Sequence, residues 1–120
     1  MKKYAKTHEW VEIEGGVATV GISQFAADEL HELAYVELPE VGRSFAAGEA
    51  FGSVESTKSA NEIFAPVAGT VSAVNAALEA NPELVNEDAE DSGWIMKLEN
   101  VDDSALATLM TKEEYLDYVK

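Results

Sequence analysis

The fold of this chain is decided by the stretch Ala50-Phe51-Gly52-Ser53-Val54-Glu55-Ser56-Thr57-Lys58-Ser59-Ala60-Asn61-Glu62-Ile63-Phe64. Residues 50–55 and 61–64 read as extended segments, with the β-branched and aromatic side chains that favour strands. The polar residues 56–59 interrupt them, as is typical of a turn. The stretch therefore predicts a hairpin with Lys58 at its exposed tip.

Strand-like segments also dominate the chain on both sides of this hairpin. Residues 9–14 and 17–22 are joined by Gly15-Gly16, and both glycines tolerate the positive φ angles of a two-residue hairpin turn. We therefore predict a second hairpin before the first one. Further strands are predicted at residues 34–38, 70–74 and 94–98.

Short helices are predicted between the strands. Ser23 can cap a helix from Gln24 to His31, because its hydroxyl can accept an unpaired backbone N–H. Residues 75–86 predict another short helix and a loop, and residues 87–93 predict an acidic loop. These connections leave the strands as the main component of the fold.

The C-terminal tail predicts two helices packed on the β core. The first would be capped by Asp103 or Ser104. Thr111 would cap the second, with Glu114 at the spacing of a capping box. The apolar pair formed by Leu116 and Val119 would be the buried side of that last helix.

The length, charge and composition exclude several classes of protein. The chain has 120 residues, no cysteine and a net charge of −15 at pH 7. Its length fits one domain over 1–120, with a β core over about 1–100 and a helical tail over about 103–120. Without cysteine it has no disulfide, Cys-ligated zinc, iron–sulfur cluster or thiol nucleophile. The acidity argues against a nucleic-acid or membrane partner, and we expect no membrane span, signal peptide or transit peptide.

Candidate catalytic residues are sparse, so Lys58 becomes the most informative side chain. His8 and His31 are the only histidines, and no serine lies on a Gly-x-Ser-x-Gly elbow. No metal-site spacing and no Gly-rich phosphate loop occurs, so we expect neither an active site nor a metal site. Lys58 has two interpretations: it keeps a strand edge soluble, or it carries a prosthetic group.

Several segments resemble one known family. Residues 52–60 and 63–69 resemble the lipoyl-lysine segment of glycine cleavage system H proteins. Thr57 and Ser59 replace the Val and Ala that usually flank the modified lysine, but both are small, so we expect modification to survive. The resemblance covers essentially the whole chain and favours the prosthetic-group interpretation. Four further segments match in family order: residues 7–11, 34–42, 82–86 and 93–97.

The resemblance implies a mainly β fold and a carrier function. The fold would be a barrel-sandwich hybrid of the lipoyl/biotinyl hammerhead type with C-terminal helices. Lipoic acid would be amide-linked to Lys58, which would need a lipoate-attaching enzyme. The carrier would take an aminomethyl group from a pyridoxal-phosphate-dependent glycine decarboxylase to an aminomethyltransferase that uses tetrahydrofolate. Dihydrolipoamide dehydrogenase would then reoxidise the carrier, which we expect to be a non-catalytic, cytoplasmic monomer.

The resemblance also assigns roles to four other side chains. Glu9 would pair with the amine of the carried group in a protective cleft, and Thr7 and Glu62 are weaker candidates for the same cleft. Glu55 would help lipoate-attaching enzymes choose Lys58. The simpler interpretation of Glu9 and Glu55 is that both are ordinary strand carboxylates.

Two alternatives stay open on the sequence alone. An H-like protein can act as a relay that supplies lipoyl groups to other lipoyl domains, and such a relay has no amine to protect. A small hydrolase built on Ser and His would be of another class, and its activity would not depend on Lys58.

Overall fold

The structure is a computed structural model that describes residues 2–120. None of the helices in this range has the length and apolar character needed to cross a membrane. The strands are β1 (Lys2–Tyr4), β2 (Glu9–Glu14), β3 (Val17–Ile22), β4 (Leu33–Glu37), β5 (Ser44–Phe45), β6 (Ala50–Ser56), β7 (Ala60–Phe64), β8 (Ala68–Val74) and β9 (Met96–Asp102). The helices are α1 (Gln24–Leu30), α2 (Ala77–Ala80), α3 (Glu83–Asp88), a 3-10 helix (Asp103–Thr108) and α4 (Lys112–Tyr118).

The strands form two antiparallel sheets that stay open at their edges. The larger sheet has the strand order β1-β2-β3-β9-β8-β5, and the smaller one has the order β4-β6-β7. Helix α4 comes after the last strand in the chain and lies near the edge strand β1 of the larger sheet. Just before α4, Met110 forms a β-bridge with Tyr4 of β1. The predicted fold class, mainly β with short helices and a helical C-terminus, is confirmed.

The predicted hairpin around Lys58 is formed by β6 and β7. The two strands pair from Ala50 opposite Phe64 to Glu55 opposite Ala60, and Lys58 is exposed in the turn between them. On the other edge of β6, strand β4 pairs in antiparallel register. A third strand therefore supports the half of β6 that lies nearest the Lys58 turn.

The main hydrophobic core joins the two sheets. Val54 and Ile63 of the smaller sheet share one buried cluster with Val20 and Leu98 of the larger sheet, and none of the four is more than 2% exposed. Burying an aliphatic side chain of this size contributes about 1.5–3 kcal/mol. The inward faces of β6 and β7 therefore anchor the hairpin to the rest of the molecule.

A second, aromatic cluster connects the N-terminal strand with the C-terminal helix. The rings of Tyr4 and Tyr115 stack with their centroids 4.6 Å apart. Trp10 is also buried in this cluster, and its indole N–H donates to the carbonyl of Ala89 at 3.0 Å. The tail is thereby fixed to β1 and β2.

The tail predictions are partly wrong. Thr111 caps α4 with Glu114 in a capping box, as predicted. Leu116, however, is 51% exposed, and the buried residue of α4 is Tyr115 at 2%. The stack on Tyr4 turns the Tyr115 face of the helix inward, so Leu116 faces solvent, whereas Val119 is partly buried against the same aromatic cluster.

Several element boundaries also differ from the prediction. The first tail helix is a 3-10 helix capped by Asp102, one residue before the predicted cap. Helix α3 extends to Asp88, so only part of the predicted acidic loop is loop. The last strand begins at Met96 and not at Trp94. Strands β1 and β5 were not predicted, because segments of two or three residues are too short to show an alternating pattern.

A pair of leucine substitutions tests the placement of α4 against the core. Leu98→Ala should lower the free energy of unfolding by about 2–5 kcal/mol, because Leu98 is fully buried. Leu116→Ala should change it by no more than about 0.5 kcal/mol, because half of that side chain is exposed. Urea unfolding of both variants checks this, and a large effect of Leu116→Ala would contradict the packing described for α4.

Candidate functional site

The turn that carries Lys58 is held by hydrogen bonds between its own serines. The backbone N–H of Ser56 donates to the carbonyl of Ser59 at 2.9 Å, and the backbone N–H of Ser59 donates to Ser56 Oγ at 3.3 Å. Within residues 2–120 the Lys58 ammonium has no hydrogen-bond or ion-pair partner. The turn is thus fixed at its base, while the lysine side chain extends freely from an exposed position.

A cleft of about 280 Å³ lies beside the hairpin. Three segments form its walls: residues 7–9 before and at the start of β2, the α1 segment that includes Ala26 and Leu30, and the hairpin strands with Val54 and Ile63. The cleft is therefore mainly apolar, with carboxylates at a few positions. A space of this kind can exclude water from a small group while offering it a charged partner.

Glu9 is the buried carboxylate of this cleft. Only 2% of the residue is exposed. One carboxylate oxygen accepts the hydroxyl of Thr7, and the other accepts the backbone N–H of Phe64 at 3.1 Å. Burial raises the pKa of Glu9, while these hydrogen bonds act in the opposite direction. A carboxylate held in this way gains from pairing with a cation, because a cation would offset its desolvation.

The structure brings three of the predicted site residues together. Thr7, Glu9 and Glu62 all line the same cleft. Thr7 contacts Glu9 directly, whereas Glu62 is exposed on β7 at the rim. Glu55 lies outside the cleft, on β6, where it pairs with Tyr35 of β4 and Ala60 of β7. Its position near the hairpin tip separates it from the cleft residues.

A second cavity, of about 570 Å³, lies directly at the Lys58 turn. Its walls include the turn, Pro82 and the segment that leads from α1 into β4. Glu29 and Leu30 line both this cavity and the cleft, so the end of α1 separates the lysine from Glu9. His31, to which the sequence assigned no role, also lines this cavity.

The sequence did not identify the α1 residues as part of the site. Ala26 and Leu30 lie four positions apart on one helix face, a spacing that indicates core packing. In the structure they pack against the core and also face the cleft. Because Ala26 and Leu30 are only partly buried, a ligand in the cleft could contact them. The spacing of apolar residues in the sequence does not distinguish partial from full burial.

Comparison with known proteins identifies the family. A family model described as glycine cleavage H-protein matches residues 2–120. A glycine cleavage system H protein of Thermotoga maritima is 47% identical over 118 residues, covering 98% of this chain and 95% of that protein. One of Alcanivorax borkumensis is 49% identical over 113 residues, covering 94% of this chain and 88% of that protein.

A solved structure supports the same assignment. The crystal structure of a glycine cleavage system H protein from Mycobacterium marinum superimposes with a TM-score of 0.87 at 35% identity. The match covers 97% of this chain and 94% of that one. Sequence and fold agree over nearly the full length of both. The chain therefore belongs to the glycine cleavage H-protein family.

Proposed function

We propose that this chain is the lipoyl carrier of the glycine cleavage system, with lipoic acid amide-linked to Lys58. The observation that carries the proposal is the pairing of an exposed, unpartnered lysine on a rigid hairpin with an adjoining cleft that contains a buried carboxylate. The exposed turn leaves the ammonium open to an attaching enzyme, and small side chains flank it at Thr57 and Ser59. These features fit the prosthetic group.

The carrier role divides the chemistry between the group and the chain. When bound, the lipoyl group supplies the sulfur that takes up a one-carbon unit and electrons, a capacity that this cysteine-free chain lacks. The chain itself presents Lys58 and shelters an amine. We propose that it does this without catalysing a reaction, as a shuttle substrate.

Glu9 has the central role in sheltering the amine. Its carboxylate would pair with a cationic amine inside the cleft, where little water competes for either charge. Thr7 would hold one carboxylate oxygen in place, and the Phe64 amide would hold the other. Glu62 at the rim would add negative potential at the entrance.

The partners follow from the same role. We propose that the chain docks on glycine decarboxylase, which uses pyridoxal phosphate, and on the tetrahydrofolate-dependent aminomethyltransferase. Dihydrolipoamide dehydrogenase would be the third partner. A net charge of −15 favours enzymes with basic docking surfaces, and association should weaken as salt rises. A cytoplasmic location and a monomeric state remain predictions.

The cleft also bears on the relay alternative. A protein that only passes lipoyl groups to other lipoyl domains has no amine to protect. Burying a carboxylate destabilises the fold, and a relay carries no cationic amine that could pair with it. The buried Glu9 therefore favours the glycine cleavage role.

The attachment site is tested by intact mass after expression with lipoate. The wild-type chain should gain the mass of one lipoyl group, and Lys58→Arg should gain none, because arginine cannot form the amide. Lys97→Arg is the matched control: it keeps a charge on β9 and should be modified like the wild type. A lipoyl gain on Lys58→Arg would refute the assignment of the site.

The role of Glu55 is tested by the rate of attachment. Glu55→Gln should slow lipoylation of Lys58 by about ten- to a hundredfold, because one charged contact to the attaching enzyme, about 1.5–3 kcal/mol, is lost. Glu99→Gln, on β9 of the other sheet, removes the same charge and should leave the rate unchanged. Equal rates for all three proteins in a time course would show that Glu55 is an ordinary strand carboxylate.

Glu9→Gln should raise the stability of the fold at neutral pH and weaken the protection of the carried amine. The pKa of Glu9 is raised in the folded state, so ionisation destabilises the fold as pH rises above the ordinary carboxyl range. The variant should therefore unfold at higher urea than the wild type at neutral pH, and the difference should shrink as the pH falls. In this variant water should also hydrolyse the carried aminomethyl group about tenfold faster, freeing the thiol and releasing formaldehyde and ammonia, because the charge partner of the amine is lost. Unchanged release would remove Glu9 from the proposed role.

A further inference from the structure

A chain of hydrogen bonds connects the terminal helix α4 with the cleft. The Tyr115 hydroxyl lies 2.6 Å from His8 Nδ1 and 2.6 Å from Ser23 Oγ. His8 lies in the wall of the cleft beside Glu9, and Ser23 is the N-cap of α1, which forms another wall. A single hydroxyl from the tail therefore joins two of the three walls.

The backbone of His8 is fixed as tightly as its ring. Its φ angle is 80°, in a region that residues other than glycine rarely adopt. Its N–H donates to the carbonyl of Ala5 at 2.9 Å, and its carbonyl accepts the N–H of Ser23 at 2.8 Å. A strained residue keeps such a conformation only where its surroundings determine it. His8 thus has one defined position relative to Glu9.

The available donors and acceptors assign the direction of each hydrogen bond between Ser23, Tyr115 and His8. Ser23 is 0% exposed, and its Oγ accepts the N–H of Ala26 at 3.1 Å, so its own proton must be donated elsewhere. The Tyr115 oxygen is the acceptor at hydrogen-bond distance. Tyr115 then donates its proton to His8 Nδ1. The reverse order would leave the Ser23 proton without an acceptor in a buried site. His8 therefore carries its own proton on Nε2.

The charge state of His8 matters because the cleft is acidic. Glu9, Glu29 and Glu62 line the same cavity and would favour an imidazolium. The phenols of Tyr115 and Tyr118 also lie beside His8. Behind Tyr115 lie the phenol of Tyr4 and the Glu90 carboxylate, which accepts the Tyr4 hydroxyl. An imidazolium at this position would compete for the Glu9 carboxylate and repel a cationic amine. Burial lowers the pKa of His8, in the direction that opposes this.

We propose that Tyr115 is a positioning residue that holds His8 neutral, as the Nε2–H tautomer, so that Glu9 stays available to a cationic amine. The hydroxyl acts by donating to Nδ1, which needs the lone pair of the neutral ring. The benefit of a neutral His8 rests on the proposed carrier function. The hydrogen bonds that hold it involve only residues of this protein and need no bound group.

The first test is NMR on the unmodified chain. The ring nitrogen shifts of His8 should report the Nε2–H tautomer at neutral pH. Tyr115→Phe keeps the ring that stacks on Tyr4 and removes only the hydroxyl, and it should give a mixture of tautomers. Tyr118→Phe is the matched control: its ring centroid is 6.4 Å from that of His8, and the side chain is 50% exposed. It should leave the tautomer unchanged.

The second test measures how well the cleft protects the carried amine, as the rate of ammonia release. In the lipoylated, amine-loaded protein, Tyr115→Phe should release ammonia about fivefold faster than the wild type or Tyr118→Phe, as expected when His8 loses its hydrogen bond from the hydroxyl. An Nδ1–H tautomer in the wild type, unchanged His8 signals in Tyr115→Phe, or equal release from all three proteins would overturn the proposal. The wild-type tautomer requires no variant, so the proposal stays testable if Tyr115→Phe is unstable. A chain that is never lipoylated would defeat the carrier function and leave the tautomer result standing.

Discussion

The site depends on one strand, because β7 begins just after the Lys58 turn and ends at the residue that binds Glu9. Its first residue pairs with Glu55 beside the turn, and the N–H of its last residue, Phe64, donates to the Glu9 carboxylate at 3.1 Å. Ile63 fixes the strand in the core. A slip of one residue would turn Ile63 outward and remove the Phe64 amide from Glu9. The register of β7 thus sets both the lysine and its cleft.

The buried carboxylate shows that the fold accepts a local cost. Glu9 is a buried carboxylate, and the hydrogen bonds from Thr7 and Phe64 offset only part of its desolvation. Natural proteins keep such costs where a function uses them. A cation in the cavity beside Glu9 would offset the remaining desolvation of the carboxylate.

The parts of the fold that the sequence predicts are those determined locally. The β6–β7 hairpin follows from a polar turn between two extended segments, and the Thr111–Glu114 capping box follows from a spacing of three residues. The burial of Tyr115 could not be predicted in this way, because it depends on contacts with Tyr4 and His8, which lie more than a hundred positions away. The spacing of Leu116 and Val119 predicts one apolar face, but only Val119 packs on the aromatic cluster, because a helix as short as α4 has no periodicity strong enough to decide which side is buried. The cleft was predicted only through family resemblance, since its walls come from three separate segments.

A carrier has two conflicting needs: its attachment point must be open to several enzymes, and its cargo must be closed to water. In the role proposed for this chain these needs would fall at opposite ends of β7, because an exposed lysine precedes the strand and a buried carboxylate accepts the N–H of its last residue. The end of α1 lies between the two places, since Leu30 lines both cavities. The cap of α1, Ser23, is in turn bonded to Tyr115 of the tail. The C-terminal helix therefore contributes to the cleft through α1 and His8, although it contributes no residue to the cleft lining itself.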